Sequence, residues 1–463
     1  MMKSKEIIGI IVSAIILIGS FLVPEKGILT HAGIITIATL ISFLVMLVTE
    51  ALPLIVTCLI FVGLMPVIGV SPSFGSALSG YSHPIPYFLI ASFGIAAAFT
   101  ATPLSKRILL VLLKVFSRNV KSMLFAVMMC ALLVSSVMSN VPTCAVFMAI
   151  GLSFLELFEN SDDKKRTGRA FMIGIPIATM IGGMMTPVGS SINLLAISLL
   201  EEHTGQTITF VQWMLAGIPL ALILLPIAWW RITIIYRPAE INPDMLKKFA
   251  STLEVPKKMD YPEKKVIVLM LVMLTLWVLS SWFRQINVMV VALLGCTVLF
   301  MPGMKILEIN KFMKENSWTS FFMMGTVLSI AQAMITNKVS DWIVSLTPSL
   351  NVSTIMLTGF TAAAVFVLLI IIPVAPSLVA IIAYPVISLA TGAGVSPAIL
   401  MITTALCAGN CYLLPLDAVP LITYGKGYYG MTDMARSTLP LQIIIIILVS
   451  IWLPAVFKVI GGF

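Results

Sequence analysis

Four polar interruptions in otherwise apolar sequence carry what chemistry this chain offers. The first is Ser139-Asn140-Val141-Pro142. The second runs from Gly182 through Thr186-Pro187-Val188-Gly189-Ser190-Ser191-Ile192 to Asn193. The third is Ala375-Pro376-Ser377, and the fourth runs from Ala408-Gly409-Asn410 to Asp417-Ala418-Val419-Pro420. Hydroxyls, carboxamides and one carboxylate beside Gly and Pro suit the holding of ions rather than bond making. Proline removes an amide donor and glycine tolerates unusual dihedrals, so a helix unwinds at such places. Carbonyls freed there can hold a cation, and the N-terminus of the helix that restarts favours an anion.

The elements that position these breaks are membrane helices. Of 463 residues, 59% are hydrophobic and 10% charged, and mean hydropathy is +1.09. Soluble domains carry about 25% charged residues, so this chain cannot present an ordinary wet surface. Uncharged or nearly uncharged runs cover 7–23, 32–49, 51–70, 86–105, 122–155, 170–200 and 204–230, then 266–283, 285–304, 317–337, 342–416 and 437–457. About 20 apolar residues cross the hydrocarbon core, and only helices or closed barrels satisfy their backbone there. Runs this long and this apolar predict an all-α polytopic membrane protein, in which 342–416 holds several helices. Lys3 and Lys5 before an apolar run resemble a signal peptide, but more spans follow at once, so an uncleaved first helix is expected.

The chain divides at the polar stretch 231–265 into halves at 1–230 and 266–463. In each half a short apolar segment (86–100, 321–335) leads to charges, Lys106 and Arg107 or Lys338 and Asp341. A long run with a Pro-containing break follows (near 122–158, near 353–392), then a second interrupted helix (near 170–202, near 397–425). The tails also correspond: Gly205-Gln206-Thr207 precedes the span ending at Trp230, and Gly430-Met431-Thr432 the span ending at Trp452. Interrupted helices at matching positions of two halves point to a transporter binding site, because unwound backbone at membrane depth survives only where it lines a cavity or is buried.

Other features are bland. The net charge of +9 collects in two loops, with Lys164, Lys165, Arg166 and Arg169 in one and Arg237, Lys247, Lys248, Lys257, Lys258, Lys264 and Lys265 in the other. The positive-inside rule places both loops, with Lys3 and Lys5, in the cytoplasm of a cell (plasma or inner) membrane. A nucleic-acid partner is not expected. The six cysteines all lie in apolar runs, where thiols act as small hydrophobes; Cys407 and Cys411 share a helical face without a neighbouring His. His31, His83 and His203 fall near span ends. H-E-x-x-H, G-x-S-x-G and G-x-x-x-x-G-K-[ST] are absent, so neither an intramembrane hydrolase nor an ATP-driven pump is expected. No organic cofactor is expected.

At these residues the sequence resembles the divalent-anion/sodium symporter family, whose members carry dicarboxylates, citrate or sulfate. That family has a Ser-Asn-Thr motif at the tip of a re-entrant hairpin in each half and a Thr-Pro break in a following helix. Ser139-Asn140 resembles the first tip, and Thr186-Pro187-Val188-Gly189-Ser190 with Asn193 the first broken helix. Thr49-Glu50-Ala51-Leu52-Pro53-Leu54 and Gly425-Lys426-Gly427-Tyr428 also look like family segments. The resemblance implies two inverted repeats, an elevator-type carrier with a scaffold and a transport domain, and a homodimer. It assigns a sodium site to Ser135, Ser139, Asn140 and the Gly189 backbone; Asp417, which departs from the family pattern, is a further candidate cation ligand. Substrate falls to Ser139, Asn140, Val141, Thr143, Ser190 and Asn193 in the first half, and to Ala375, Pro376, Ser377, Asp417 and Ala418 in the second.

The departures are as informative. Val141 stands where the family has Thr, with Thr143 two residues on. Ala375-Pro376-Ser377 replaces the second Ser-Asn-Thr, and Asp417 replaces a Thr, so a second sodium site of the usual kind is not expected. A charged side chain at the bilayer centre costs about 2.5–3.5 kcal/mol on insertion scales. Asp417 can therefore bind a coupling cation, carry a proton, or cap the half-helix that starts at Val419. The function expected is secondary transport of a small divalent anion, a dicarboxylate such as succinate or else sulfate, driven by sodium or protons or by anion exchange through an elevator mechanism. A carrier of another inorganic ion on the same architecture is the alternative.

Overall fold

The computed structural model describes residues 4–25, 27–116, 119–240, 249, 253, 255–256, 258–345, 352–372 and 374–460. Among them every long element is a helix. The first half contains α1 (Ser4–Ser20), α2 (His31–Thr49), α3 (Leu54–Val67), α4 (Pro84–Thr100), α5 (Leu104–Phe116), α6 (Val120–Ser135), α7 (Asn140–Leu155), α8 (Ser161–Gly183), α9 (Ser191–Thr204) and α10 (Phe210–Tyr236). The second contains α11 (Tyr261–Leu279), α12 (Val288–Val298), α13 (Trp318–Thr336), α14 (Thr354–Ile371), α15 (Ala375–Gly392), α16 (Pro397–Ala408), α17 (Ala418–Tyr424) and α18 (Met431–Ile460).

Length separates these helices into two kinds. The helices α2, α10, α13, α15 and α18 are each long and apolar enough to cross a membrane, while α4 and α5 form one pair bent by 63°. The helices α6 and α7 have 16 residues each, which at 1.5 Å per residue is about 24 Å, short of a hydrocarbon core of about 30 Å. The run 122–155 thus becomes two short helices, and 342–416 becomes α14, α15 and α16. Four residues, 136–139, turn α6 into α7, while α14 ends at Ile371 and α15 begins at Ala375.

The expected linker starts later than composition indicates. The helix α10 runs on through Arg231 to Tyr236, and α11 already begins at Tyr261. Arg231 extends the helix because Ile232, Thr233 and Tyr236 still bury one face. Much of the basic stretch between lies outside the described residues. A bidentate ion pair missed by sequence reading closes this region: Arg107 Nε and Nη2 donate to Glu263 at 2.9 and 2.8 Å. Glu263 is buried there, hidden in sequence among Lys264 and Lys265.

Close helix contacts rest on a few glycines. A Cβ on Gly182 would lie 2.3 Å from the Leu132 carbonyl oxygen, so α8 meets α6 backbone to backbone. A Cβ on Gly217 would lie 2.1 Å from the Met184 oxygen, which fixes α10 against the first break. Rigid backbone cannot yield, so alanine is excluded at both.

Candidate functional site

A helix that stops inside protein must satisfy the carbonyls it releases. At the first break, α8 ends at Gly183, a 3-10 turn spans Pro187–Gly189, and α9 starts at Ser191. Asn193 Nδ2 donates to the Gly183 and Thr186 carbonyls at 2.8 and 2.9 Å. Trp213 Nε1 donates to Met184 O at 3.1 Å. Thr186 Oγ1 accepts from Gly189 N–H at 3.1 Å and donates to Ser136 O, which ties the break to the α6–α7 tip.

That tip is organised by its own side chains. Ser135 Oγ donates to Asn140 Oδ1 at 2.7 Å. The Asn140 carboxamide lies on Gly183, where a Cβ would sit 2.3 Å from Oδ1. Gly189 in turn lies on Gly183, whose oxygen would meet a Gly189 Cβ at 2.7 Å. Ser135, Asn140, Gly183, Thr186 and Gly189 thus form one buried, oxygen-rich knot. Each carbonyl oxygen has two lone pairs, so those already accepting one hydrogen bond can still face a cation.

The second break reaches the same end with different residues. Asn410 Nδ2 donates to Leu406 O at 2.9 Å, and Tyr412 OH donates to Asn410 Oδ1 at 2.9 Å. From α18, Gln442 Nε2 donates to Asn410 O and Thr438 Oγ1 to Tyr412 O, both at 2.8 Å. Sequence reading missed this brace, though Thr438 and Gln442 are polar residues four apart on one face of an apolar helix, a legible signal. Asp417 caps α17, its Oδ1 accepting from Val419 N–H at 3.1 Å. The capping role is therefore realised in the structure.

All four interruptions open on one cavity of about 1060 Å³. Ser139, Asn140 and Val141 line it from the first tip, Ser190 from the first break, Ala375 and Pro376 from the second tip, and Asp417 and Ala418 from the second break. The remaining expected residues are placed elsewhere. Ser135 and Gly189 lie in the knot behind the wall. Thr143 is buried and donates to Ser139 O at 3.0 Å, a bond within the first turn of its helix. Asn193 is spent on the two carbonyls. Ser377 is 1% exposed, faces α2 and α13 in a separate small void, and its hydroxyl has no hydrogen-bond partner among the described residues. The second tip therefore offers the cavity no side-chain donor, because the helical turn after Pro376 carries Ser377 away from it.

Three helices start at this cavity without using a side chain to cap themselves. Ser139 and Ser190 are the N-cap residues of α7 and α9, yet neither hydroxyl bonds to its own helix. The N-cap of α15 is Val374, which has no polar side chain. Free first-turn amides and the positive end of the helix dipole favour an anion at each. Ser190 is 8% exposed, so its hydroxyl faces the cavity from an otherwise buried position. Among the described residues no Lys, Arg or His lines the cavity; the ionisable groups described there are Glu6, Glu50 and Asp417. Sequence reading did not single out Glu6, and it met Glu50 only as part of a motif.

His83 has a structural post. Its Nδ1 accepts from Ile85 N–H at 3.3 Å, and Nε2 lies 3.0 Å from both Glu202 and Ser198, joining the start of α4 to α9.

Residues 4–460 match the family described as the sodium:sulfate symporter transmembrane region. A Staphylococcus aureus protein named sodium-dependent dicarboxylate transporter SdcS is 24% identical over 500 aligned positions, covering 99% of this chain and 93% of that one. A Cupriavidus necator protein described as a membrane protein is also 24% identical, over 69% of this chain and 66% of its own length. In fold, the chain is similar to the crystal structure of the Alcanivorax borkumensis YdaH transporter, described as having an unusual topology. The TM-score is 0.51 and identity 14%, with 99% of each chain covered.

Proposed function

This chain belongs to the sodium:sulfate symporter family, an integral membrane transporter and not an enzyme, and we propose that it carries a small dicarboxylate of succinate size together with sodium. One observation carries the proposal. Three uncapped helix N-termini, with the Ser139 and Ser190 hydroxyls, face a cavity that has no basic side chain among the described residues. Such a wall can hydrogen-bond a dianion but cannot neutralise it. The compensating charge must arrive as cations bound with the substrate, which is the logic of symport. The name of the Staphylococcus aureus relative supports sodium as the cation and a dicarboxylate as the cargo.

In this proposal the knot of Ser135, Asn140 and the Gly189 backbone, with Ser139 at its edge, holds one sodium ion. The substrate lies on Ser139, Asn140 and Ser190 and on the amides that open α15. Asp417 holds a second cation or a proton, since a bare carboxylate beside a dianion would repel it. The α6–α7 and α14–α15 pairs act as re-entrant hairpins that move with the broken helices against a scaffold of outer helices, in an elevator cycle within a homodimer. Glu6 at the start of α1 and Glu50 at the end of α2 line the cavity at one end of that helix pair, since Gly9 packs directly on Thr49. With Lys3 and Lys5 cytoplasmic, this cavity opens inward.

Thermal unfolding of the purified protein in detergent tests the binding part. Succinate should raise the midpoint in sodium chloride and not in choline chloride. Equal stabilisation in both salts, or by sulfate alone, would contradict the dicarboxylate reading.

A further inference from the structure

The helix α5 has surface features that the transport cavity does not use and that are independent of which anion is carried. It is the second arm of the 63° bend after α4 and contains Lys106, Arg107 and Lys114 but no acidic residue. At about 100° per residue, three strips run along it. Ser105, Leu109 and Leu113 form one strip, buried against the protein, and Leu104 is buried in the first turn. Lys106, Arg107 and Lys114 form a second strip. Val111 and Val115, 56% and 63% exposed, form a third beside it.

Each strip has its own partner. The first packs on α6, where Cys130 Sγ lies 3.8 Å from Ser105 O. Within the second, Arg107 is held by Glu263, which leaves Lys106 and Lys114 exposed. The third is apolar surface that no described residue covers. A cationic strip running beside an exposed apolar strip matches the boundary where lipid headgroups meet acyl chains. We propose that α5 lies in this boundary and binds anionic phospholipid, with Val111 and Val115 among the upper acyl carbons and Lys106 and Lys114 on the headgroup phosphates. The helix joins α4 to the first hairpin, so a lipid held there fixes the height of that connection in the bilayer.

Spin labels test the placement, and lipid retention tests the charge. Cysteine is introduced at Val111, Val115 or Lys106 in a chain carrying Cys411→Ala, since Cys411 is the one native thiol that is not fully buried. In phosphatidylcholine vesicles with phosphatidylglycerol, labels at 111 and 115 should be more accessible to oxygen than to a water-soluble nickel chelate. The label at 106 should show the reverse. Aqueous behaviour at both 111 and 115 would overturn the placement. Separately, protein purified from mixed vesicles should retain phosphatidylglycerol over phosphatidylcholine, and K106Q/K114Q should lose about five-fold of that preference per lysine, the equivalent of about 1 kcal/mol for a basic side chain at an anionic surface. An unchanged preference in the double variant would overturn the phosphate contact.

Discussion

Ser135 donates its hydroxyl proton to Asn140 Oδ1 at 2.7 Å, bridging the last residue of one short helix and the first of the next. The bond turns the Asn140 carboxamide toward Gly183 and leaves the hydroxyl oxygen of Ser135 with its lone pairs free to face a cation. Ser135→Ala removes both the positioning and the oxygen. The half-saturating sodium concentration for uptake should rise about ten-fold, the equivalent of about 1.4 kcal/mol, while substrate affinity at saturating sodium changes little. An unchanged sodium dependence would remove Ser135 from the site.

Asn193 is predicted to matter for stability before it matters for substrate. Its Nδ2 serves the Gly183 and Thr186 carbonyls together, and Asn193→Leu leaves both without that donor. Hydrogen bonds inside membrane proteins average about 0.6 kcal/mol, so a loss of about 1–2 kcal/mol in total is expected. A thermal unfolding scan in detergent should show a lowered midpoint even without substrate or sodium.

Two adjacent glycines should fail in different ways. A Cβ on Gly182 meets the Leu132 backbone, which cannot move away, so Gly182→Ala should lower the yield of folded protein. A Cβ on Gly183 meets the end of the Asn140 side chain, which can swing aside. Gly183→Ala should fold and lose sodium-dependent uptake. Size-exclusion profiles paired with uptake separate the outcomes.

The Arg107–Glu263 pair gives a pH signature. Glu263 precedes the apolar part of its helix. The Arg107 guanidinium, with a hydrogen bond from the Asp260 N–H, holds the Glu263 carboxyl below its ordinary value. Its stabilisation is therefore complete above the unfolded carboxylate value of about 4.3 and is lost as pH falls through the lower folded value. The midpoint difference between the native chain and Glu263→Gln should stay constant from about pH 8 to pH 5 and shrink below about pH 4.3.

Helix breaks were legible in the sequence because Gly and Pro act locally. Ser139-Asn140 and Thr186–Pro187 name their own interruptions, and the cavity lies where those interruptions meet. What serves the released carbonyls was not legible, because Trp213, Thr438 and Gln442 act from other helices, far away in sequence. Ser377 marks a different limit. Its residue type suits a binding tip, but the turn it occupies sends the hydroxyl toward α2 and α13. Glu50 was visible only as part of a motif; that it lines the cavity depends on how α2 packs beside the broken helices.

Asp417 tests whether the second half contributes an ion. It caps α17 through Val419 N–H, a bond that Asn can also accept. Asp417→Asn should therefore keep the fold and reduce the number of cations moved with each substrate. Transport by this variant with its full ion dependence would leave Asp417 as a cap alone.

The most direct measurement is uptake into proteoliposomes with succinate, citrate and sulfate, each offered under an inward sodium gradient, under a proton gradient, and with counter-anion inside. The account predicts succinate accumulation driven by sodium and lost in Ser190→Ala together with Ser139→Ala. Absence of anion flux under every condition, or flux of a cation without any anion, would contradict it.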